Sequence, residues 1–336
     1  MPFRNALING DMRINQRGTS TNLASLTTVA TGSWVTDRWN VLRGGYAAGA
    51  VIGQGTSLTN SDLPFSDAGI KTFGRIGRLS GNTATNDIAL NYNMESQDCY
   101  QYVGKTVTLS FYYRTGTNFS GSALIAQIIT GTGTDQALRN GYTGLIAQTI
   151  TNIVSSTWRR VSFTVTLSSL LNQIGLGIQY TPVGTAGTND YFDITGIQLE
   201  LGSVPTSFEV RPFPVELQLC LRYCESSFQF NIAPANQVSQ YVEYSGIAFS
   251  TGWLNAQILF KVQKRTTPDI ITLYRPSPVV SGTWAYAISG TGFIAWTPNI
   301  PVKNEIGFIL EVTSGASTTT GYAYRTAGNW LVSSEL

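Results

Sequence analysis

Few residues in this sequence have the chemistry of a catalytic centre. The chain has 336 residues and no histidine, which excludes the commonest general base, the usual nucleophile pairs and most zinc sites. Carboxylates remain, because glycoside hydrolysis needs two carboxyl groups about 5–10 Å apart. Asp62 and Asp67 are one such pair among 19 acidic residues, but sequence spacing alone does not place a pair in a cleft. We expect a protein that is not an enzyme, with polysaccharide degradation as the catalytic alternative.

Four aromatic residues are candidates for binding a glycan. Sugar rings stack on aromatic faces while amides and carboxylates hydrogen-bond their hydroxyl groups. The candidates lie in irregular, turn-rich segments and are Trp34, Tyr46, Tyr100 and Tyr102. The alternative for each residue is packing over a core or against a neighbour, because most aromatic side chains serve packing.

Two aspartates form a candidate cation site. Asp190 and Asp193 lie beside an interrupted strand, and calcium takes about six to eight oxygen ligands from carboxylates and carbonyls. A structural calcium ion is therefore the one cofactor that the sequence suggests. The three cysteines form no disulfide framework, and Cys220 with Cys224 supply too few ligands for zinc. We expect them to be packed, reduced thiols.

The composition excludes several classes of partner. Charged residues make up 12% of the chain and the net charge is +2, without the basic cluster that binds nucleic acid or a membrane surface. The opening MPFRNALING lacks the pattern of a signal peptide, and no apolar run reaches the roughly 18 residues of a membrane span. We expect synthesis in the cytoplasm, no membrane insertion and no nucleic-acid partner.

The elements that must position these residues are mostly β-strands. Apolar residues alternate with polar ones in DIALNYNME, KTVTLSFYYR and WRRVSFTVTL, which predicts half-buried antiparallel strands. In YFDITGIQLELG the apolar parity changes at Thr195–Gly196, as it does at a β-bulge. Glycine- and threonine-rich turns separate the strands. This pattern predicts an all-β protein with an N-terminal jelly-roll β-sandwich.

One helix interrupts the strands and suggests the domain organisation. In PVELQLCLRYCESSF, apolar residues from Leu217 to Phe228 follow helical spacing, and Pro214 suits a first turn. Alternation returns in NAQILFKVQKR, within a segment rich in Trp and Tyr. We therefore predict a jelly-roll domain at 1–212, a linking helix at 213–230 and a smaller β domain at 231–336.

Three stretches resemble one family of phage proteins. NALINGDMRINQRG with VTDRWN resembles the start of phage tail-fibre modules related to carbohydrate-binding jelly rolls. ITGIQLELGSVPTSFEVRPFPVELQLCLRYC is similar to the end of such a module, with Leu221 where the family more often has Gln. The terminal NWLVSSEL resembles the endings of some phage fibre proteins. The resemblance covers residues 5–228 well and the remainder loosely.

The resemblance implies a virion protein that is released by lysis. It implies a homotrimer that contacts other virion proteins, and a tail fibre or short appendage that touches a host surface polysaccharide. The chain has no repetitive shaft and the module begins almost at Met1. A capsid decoration, head fibre or connector without a receptor role is therefore the alternative. The surplus of Tyr and Trp in the C-terminal domain is expected to fill a core, a subunit interface or a binding surface.

Overall fold

The computed structural model divides the chain into two units. It describes residues 3–18, 28–29, 32–44, 49–59, 61–63, 67, 69–152, 154–230, 232–236, 239–250, 253–276, 283–288, 293–312 and 318–336. The first unit comprises Met1–Asn15, Thr19–Glu216 and Leu336, and the second comprises Gln16–Gly18 and Leu217–Glu335. The change of unit after Glu216 falls inside the predicted linking segment.

The first unit is a sandwich of two antiparallel sheets, each six-stranded in the described part of the chain. In order across the sheet, sheet 1 consists of β1 (Thr28–Val29), β4 (Ala50–Gly55), β5 (Phe73–Gly77), β12 (Tyr191–Leu201), β7 (Thr106–Thr115) and β10 (Arg159–Thr166). Sheet 2 consists of β2 (Trp34–Thr36), β3 (Trp39–Arg43), β6 (Ile88–Asn93), β11 (Gln173–Tyr180), β8 (Leu124–Gly131) and β9 (Ile146–Asn152). A short helix, α1 (Ser96–Cys99), follows β6. The predicted all-β fold with an N-terminal sandwich is confirmed.

The core of this sandwich follows from the period-two pattern of the strands. The alternate residues Leu90 and Tyr92 of β6 point inward, as do Leu109 and Phe111 of β7, and all four are buried. Successive side chains of a strand point to opposite faces, so the intervening polar residues lie on the outer faces. The prediction of which residues in these strands face the core is confirmed.

The predicted bulge in β12 is also confirmed. The pairing of β12 with β7 shifts register between Thr195 and Gln198, and Gly196 has φ +60°. The shift returns Ile197 to the core side after Ile194, since both are fully buried. Glycine suits this position because other residues are strained in the left-handed region.

The helix is shorter than the sequence pattern predicts. It spans Phe213–Leu221 as α2, and Cys224 lies in strand β13 (Cys224–Ser226). The stripe from Leu217 to Phe228 therefore does not lie on one helix. The strand prevails because Cys224 pairs with Ser333 of the last strand, a long-range contact that overrides local helical spacing.

The second unit is built around one antiparallel sheet, nine-stranded among the described residues. Its main path runs through β18 (Ile294–Trp296), β17 (Trp284–Ile288), β21 (Ala323–Ser333), β14 (Val242–Ser250), β15 (Trp253–Leu259), β20 (Gly307–Val312) and β19 (Asn299–Asn304). β13 and β16 (Ile270–Tyr274) pair with other parts of β21. No helix among the described residues is long and apolar enough to span a membrane.

Much of the aromatic surplus fills the core of the second unit itself. The buried aromatic residues of this core are Trp284, Tyr286, Trp296, Phe308, Tyr324 and Trp330. Trp330 Nε1 donates to the hydroxyl group of Tyr244 at 2.7 Å. Tyr322, by contrast, is 55% exposed. These buried aromatic residues therefore need no subunit interface to cover them.

Candidate functional site

One transverse row of side chains crosses the outer face of sheet 2. In order across the sheet, the directly opposed residues are Trp34, Asn40, Asn91, Gly177, Gln127 and Thr149. Directly opposed residues lie on the same face of a sheet. Leu90, next to Asn91, and Ile178, next to Gly177, are in the core, so this row lies on the opposite, outer face. This amide row therefore places an aromatic ring and three amides on the outer face, over five strand spacings or about 24 Å.

Glycine at position 177 leaves a hollow in the middle of the amide row. A Cβ on Gly177 would lie 3.4 Å from Gln127 Oε1 and 3.7 Å from Asn91 Oδ1. The two oxygens thus lie on either side of a position without a side chain. Beside them, Asn40 Oδ1 is buried and accepts no hydrogen bond from any described residue. Hydroxyl groups in the hollow would be placed to donate to the oxygens of Gln127 and Asn91.

The middle of the amide row forms the floor of a groove that encloses about 240 Å³. Asn91 is buried, whereas Gln127 and Gln179 are half-buried and belong to the same floor. Gln127 Nε2 donates to Thr149 Oγ1 at 3.2 Å, which orients its amide. The other lining residues are Leu42, Arg43, Gly44, Asp87, Ala89, Ile129, Leu138 and Arg139.

Asn93 positions one wall of the groove. Its Oδ1 accepts from the backbone N of Leu138 and from the hydroxyl group of Tyr142, each at 2.8 Å. Tyr142 lies over Gly175, where an added Cβ would be 2.6 Å from the tyrosine hydroxyl oxygen. Glycine at 175 therefore lets the segment between β8 and β9 lie against the sheet and present Arg139 at the groove.

The charged residues of the lining have a positive balance. Arg43, Arg139 and Asp87 line the groove, and Asp87 is the single carboxylate among the described lining residues. Arg43 donates to the carbonyls of Gly49 at 2.9 Å and Ala84 at 2.7 Å. Burial lowers the pKa of the Arg43 guanidinium. The groove thus combines fixed positive charge with neutral amides.

The structure separates the four aromatic residues that the sequence suggested. Trp34 is half-buried and lies at one end of the amide row, outside the residues that line the groove. Tyr100 is 64% exposed, in a 3-10 turn after α1, and does not line the groove. Tyr102 is 2% exposed in the sandwich core, where burial raises the pKa of its hydroxyl group. Its ring therefore has no exposed face on which a sugar could stack. Tyr46 lies outside the described residues.

Asp190 is paired with an arginine instead of lying open to a cation. Arg78 Nε donates to Asp190 Oδ2 at 2.7 Å, and Ser120 donates through its backbone N and its hydroxyl group. The side chains of Arg78 and Asp190 are fully buried. Arg78 also donates to the carbonyls of Asn82, Ala84 and Gly184, so one guanidinium joins several loops.

Asp193 has two arginine partners of its own. Arg75 Nε lies 2.7 Å from Asp193 Oδ1, and Arg114 Nε lies 2.9 Å from Oδ2. Asp190 and Asp193 thus balance separate guanidinium groups, which compete with a cation for the same oxygens. Among the described residues, no group of three or more His, Cys, Asp or Glu is arranged to hold a metal ion. Asp190 and Asp193 do not fit the suggested calcium site.

The carboxylate pair considered for hydrolysis has local partners as well. Asp67 is buried and accepts from the hydroxyl group of Tyr112 at 2.5 Å and from Phe208 N at 2.9 Å. Asp62 accepts from the hydroxyl group and backbone N of Thr59, each at 2.7 Å, and these bonds lower its pKa. Neither carboxylate lines the groove.

Comparison with known proteins shows a distant likeness of fold. No family model matches the chain, and no curated protein does. A bacteriophage CBA120 tailspike protein 4 domain aligns at 11% identity and TM-score 0.38, over 60% of this chain and 22% of the tailspike chain. TmCBM61, solved with β-1,4-galactotriose, aligns at 11% identity and TM-score 0.31, over 60% of this chain and all (100%) of its own.

A third similar structure is a xylan-binding domain, CBM22-1 from Paenibacillus barcinonensis Xyn10C. It aligns at 11% identity and TM-score 0.32, over 54% of this chain and 97% of that domain. The likeness to carbohydrate-binding modules and to the tailspike domain is one of β-sandwich fold. At these identities and scores it carries no conclusion about activity or ligand.

Proposed function

We propose that this chain is a non-enzymatic bacteriophage virion protein, a tail fibre or short appendage, whose first unit binds a host surface glycan. The observation that supports glycan binding is the amide row, with Trp34 at one end and the hollow at Gly177 in its middle. An aromatic face beside several amides is the combination that stacks on sugar rings and bonds their hydroxyl groups.

The lining favours binding over hydrolysis. Glycosidases usually need two carboxyl groups on opposite sides of the scissile bond, and Asp87 is the single carboxylate among the described lining residues. We therefore expect no new reducing ends when the protein is incubated with a polysaccharide that it binds. Release of shorter chains that is lost in an Asp87→Asn variant would overturn this part of the proposal.

The position on a virion rests on the sequence resemblance. The resemblance also implies a homotrimer, and the two-fold dimer argued below is the competing oligomeric state. Immunogold labelling of purified phage tests the position directly. Label at tail appendages supports an adsorption role, whereas label spread over the head supports the alternative of a capsid decoration. The buried aromatic residues of the second unit give the trimer no separate support, because they pack in their own core.

Binding at the groove is tested with two variants and two controls. The probe is an array of purified bacterial surface polysaccharides, followed by titration of the best ligand. Gly177→Val fills the hollow while keeping a residue that suits a strand, so we expect binding to be lost. Gln127→Ala removes one hydrogen-bonding amide worth about 0.5–1.5 kcal/mol, a roughly two- to tenfold loss of affinity.

The controls keep the groove intact. Gln257→Ala removes an exposed amide from β15 in the second unit, and Tyr100→Ala removes an exposed aromatic ring outside the groove. Both are expected to bind as the parent does. If Tyr100→Ala abolishes binding while Gly177→Val leaves it unchanged, the binding surface is elsewhere and the groove proposal fails.

A further inference from the structure

The edge of sheet 2 formed by β9 differs from the edges formed by β2 and β10. An edge strand offers unpaired backbone groups to any other strand, and proteins usually protect such edges with charge, proline, bulges or short length. Among the described residues, β2 has three residues and a register shift, and β10 carries Arg159 and Arg160. Each of these two edges therefore has a protective feature.

β9 has none of these features. It spans seven residues and pairs with β8 through seven consecutive positions without a register shift. No charged residue and no proline occurs between Arg139 and Arg159. Five of its seven residues are exposed, and no second strand pairs with it among the described residues. The strand is long, regular and neutral, which are the properties that favour pairing with another strand.

The exposed apolar residues around β9 indicate what would cover it. Leu145 and Ile146 are 47% and 48% exposed at its start, and Val154 is 38% exposed just beyond its end. Antiparallel pairing of two identical strands about Thr149 would bring the start of one copy beside the end of the other. The apolar ends would then cover each other, and no charged side chain would lie opposite another.

We propose that β9 pairs with β9 of a second copy of this chain, antiparallel and centred on Thr149, to form a two-fold dimer. Such a contact is isologous and closed, because it uses the same edge on both copies. The contact does not depend on glycan binding, and by itself it builds a dimer and not a trimer.

The residues that lie opposite each other in this register allow the proposed pairing to be tested with charged substitutions. Ala147 lies opposite Thr151 of the partner copy, and both are exposed on the outer face. Neither residue is itself in the groove lining, although Ala147 is opposed to the lining residue Ile129. The double variant Ala147→Lys/Thr151→Lys places like charges opposite each other at both ends of the pairing. The variant Ala147→Lys/Thr151→Glu places opposite charges there and keeps a matched number of substitutions.

The measurement is the mass of the full-length chain by light scattering over a range of concentrations. We expect the parent and the Lys/Glu variant at twice the chain mass of 36.4 kDa, and the Lys/Lys variant at the single-chain mass. Ser162→Lys on the exposed edge of β10 is the control and should retain the parent mass. A monomeric parent, a Lys/Lys variant with the parent mass, or a monomeric Lys/Glu variant would overturn the proposal. A trimeric parent would overturn it as well, because two β9 edges that pair with each other close at two copies.

Discussion

The buried ion pair between Lys264 and Glu225 gives a quantitative prediction for the second unit. Lys264 Nζ lies 2.6 Å from Glu225 Oε2 and donates to the carbonyls of Leu221 at 2.5 Å and Val262 at 2.7 Å. Both charged side chains are fully buried. In a Lys264→Met variant the Glu225 carboxylate would stay buried without its cation. Removing one partner of a buried pair costs about 3–5 kcal/mol, so we expect the free energy of unfolding of this unit to fall by that amount.

Two further variants separate the ion pair from general damage. Arg325 and Glu243 form a pair at 3.4 Å whose side chains are 45% and 39% exposed, and we expect Arg325→Met to cost less than about 1 kcal/mol. The double variant Lys264→Met/Glu225→Gln removes the stranded charge while an amide oxygen still accepts from Lys261 N. We expect it to recover most of the loss, because the buried charge is what makes the single variant costly.

Hydrogen exchange followed by mass spectrometry measures this effect in each unit separately. A loss of 3–5 kcal/mol corresponds to opening that is more frequent by roughly 2.2 to 3.7 orders of magnitude. We expect this change in peptides from β21, and none in peptides from β11, which serve as an internal reference. If Lys264→Met behaves like Arg325→Met, or if the double variant is no better than the single one, the reasoning is refuted.

Three other predictions concern the first unit. Burial raises the pKa of Asp11 to about 6. The charged carboxylate of Asp11 therefore destabilises the folded state at pH values above about 6. We expect the Asp11→Asn variant to have a higher thermal stability than the parent at pH 7. This difference in stability should disappear as the pH falls through 6 toward 4, because Asp11 is then protonated in the folded state as well. Gly196→Ala should cost about 1–2 kcal/mol in urea unfolding, since φ is +60° there. Tyr142→Phe removes the bond to Asn93 and should speed hydrogen exchange in residues 132–145, consistent with a loss of about 1 kcal/mol.

Each of these predictions has a control. For Asp11, a stability difference that is constant from pH 4 to 7 contradicts the raised pKa. For the bulge, Gly184→Ala has nearly the same φ, +61°, with no atom near the new Cβ, whereas Gly196→Ala meets Ile70 at 2.9 Å. The Gly196 variant should therefore be the more costly of the two. For Tyr142, unchanged exchange in the segment would show that the hydroxyl bond does not hold it.

The strands of the first unit were predictable because their signal is local. Alternation in KTVTLSFYYR and the change of parity at Gly196 depend only on neighbouring residues, and the structure confirms both. The end of the helix was not predictable in the same way. Cys224 fits a helical stripe, but it pairs with Ser333, more than a hundred residues away. Local periodicity carries no information about such a partner.

The candidate site was predictable in residue type and not in arrangement. Trp34 was selected because it is an aromatic residue in an irregular segment, while Tyr102 met the same criterion and is a core residue. The strand pattern placed Asn91 on a polar face, but its alignment with Gln127 depends on the register of β6, β11 and β8. Likewise, the carboxylate of Asp190 has the chemistry of a calcium ligand. Only the fold shows that it is already paired with the guanidinium of Arg78.

Arg78 has a consequence for the conditions under which the first unit keeps its shape. A bound metal ion stabilises a protein only while its free concentration exceeds its dissociation constant, so chelators and dilution remove that stabilisation. The guanidinium beside Asp190 is covalently attached to the chain and is fully buried. It therefore acts as a cation that, unlike a bound metal ion, cannot dissociate from the protein. The loops that Arg78 joins should keep their order in calcium-free media and in dilute solution alike.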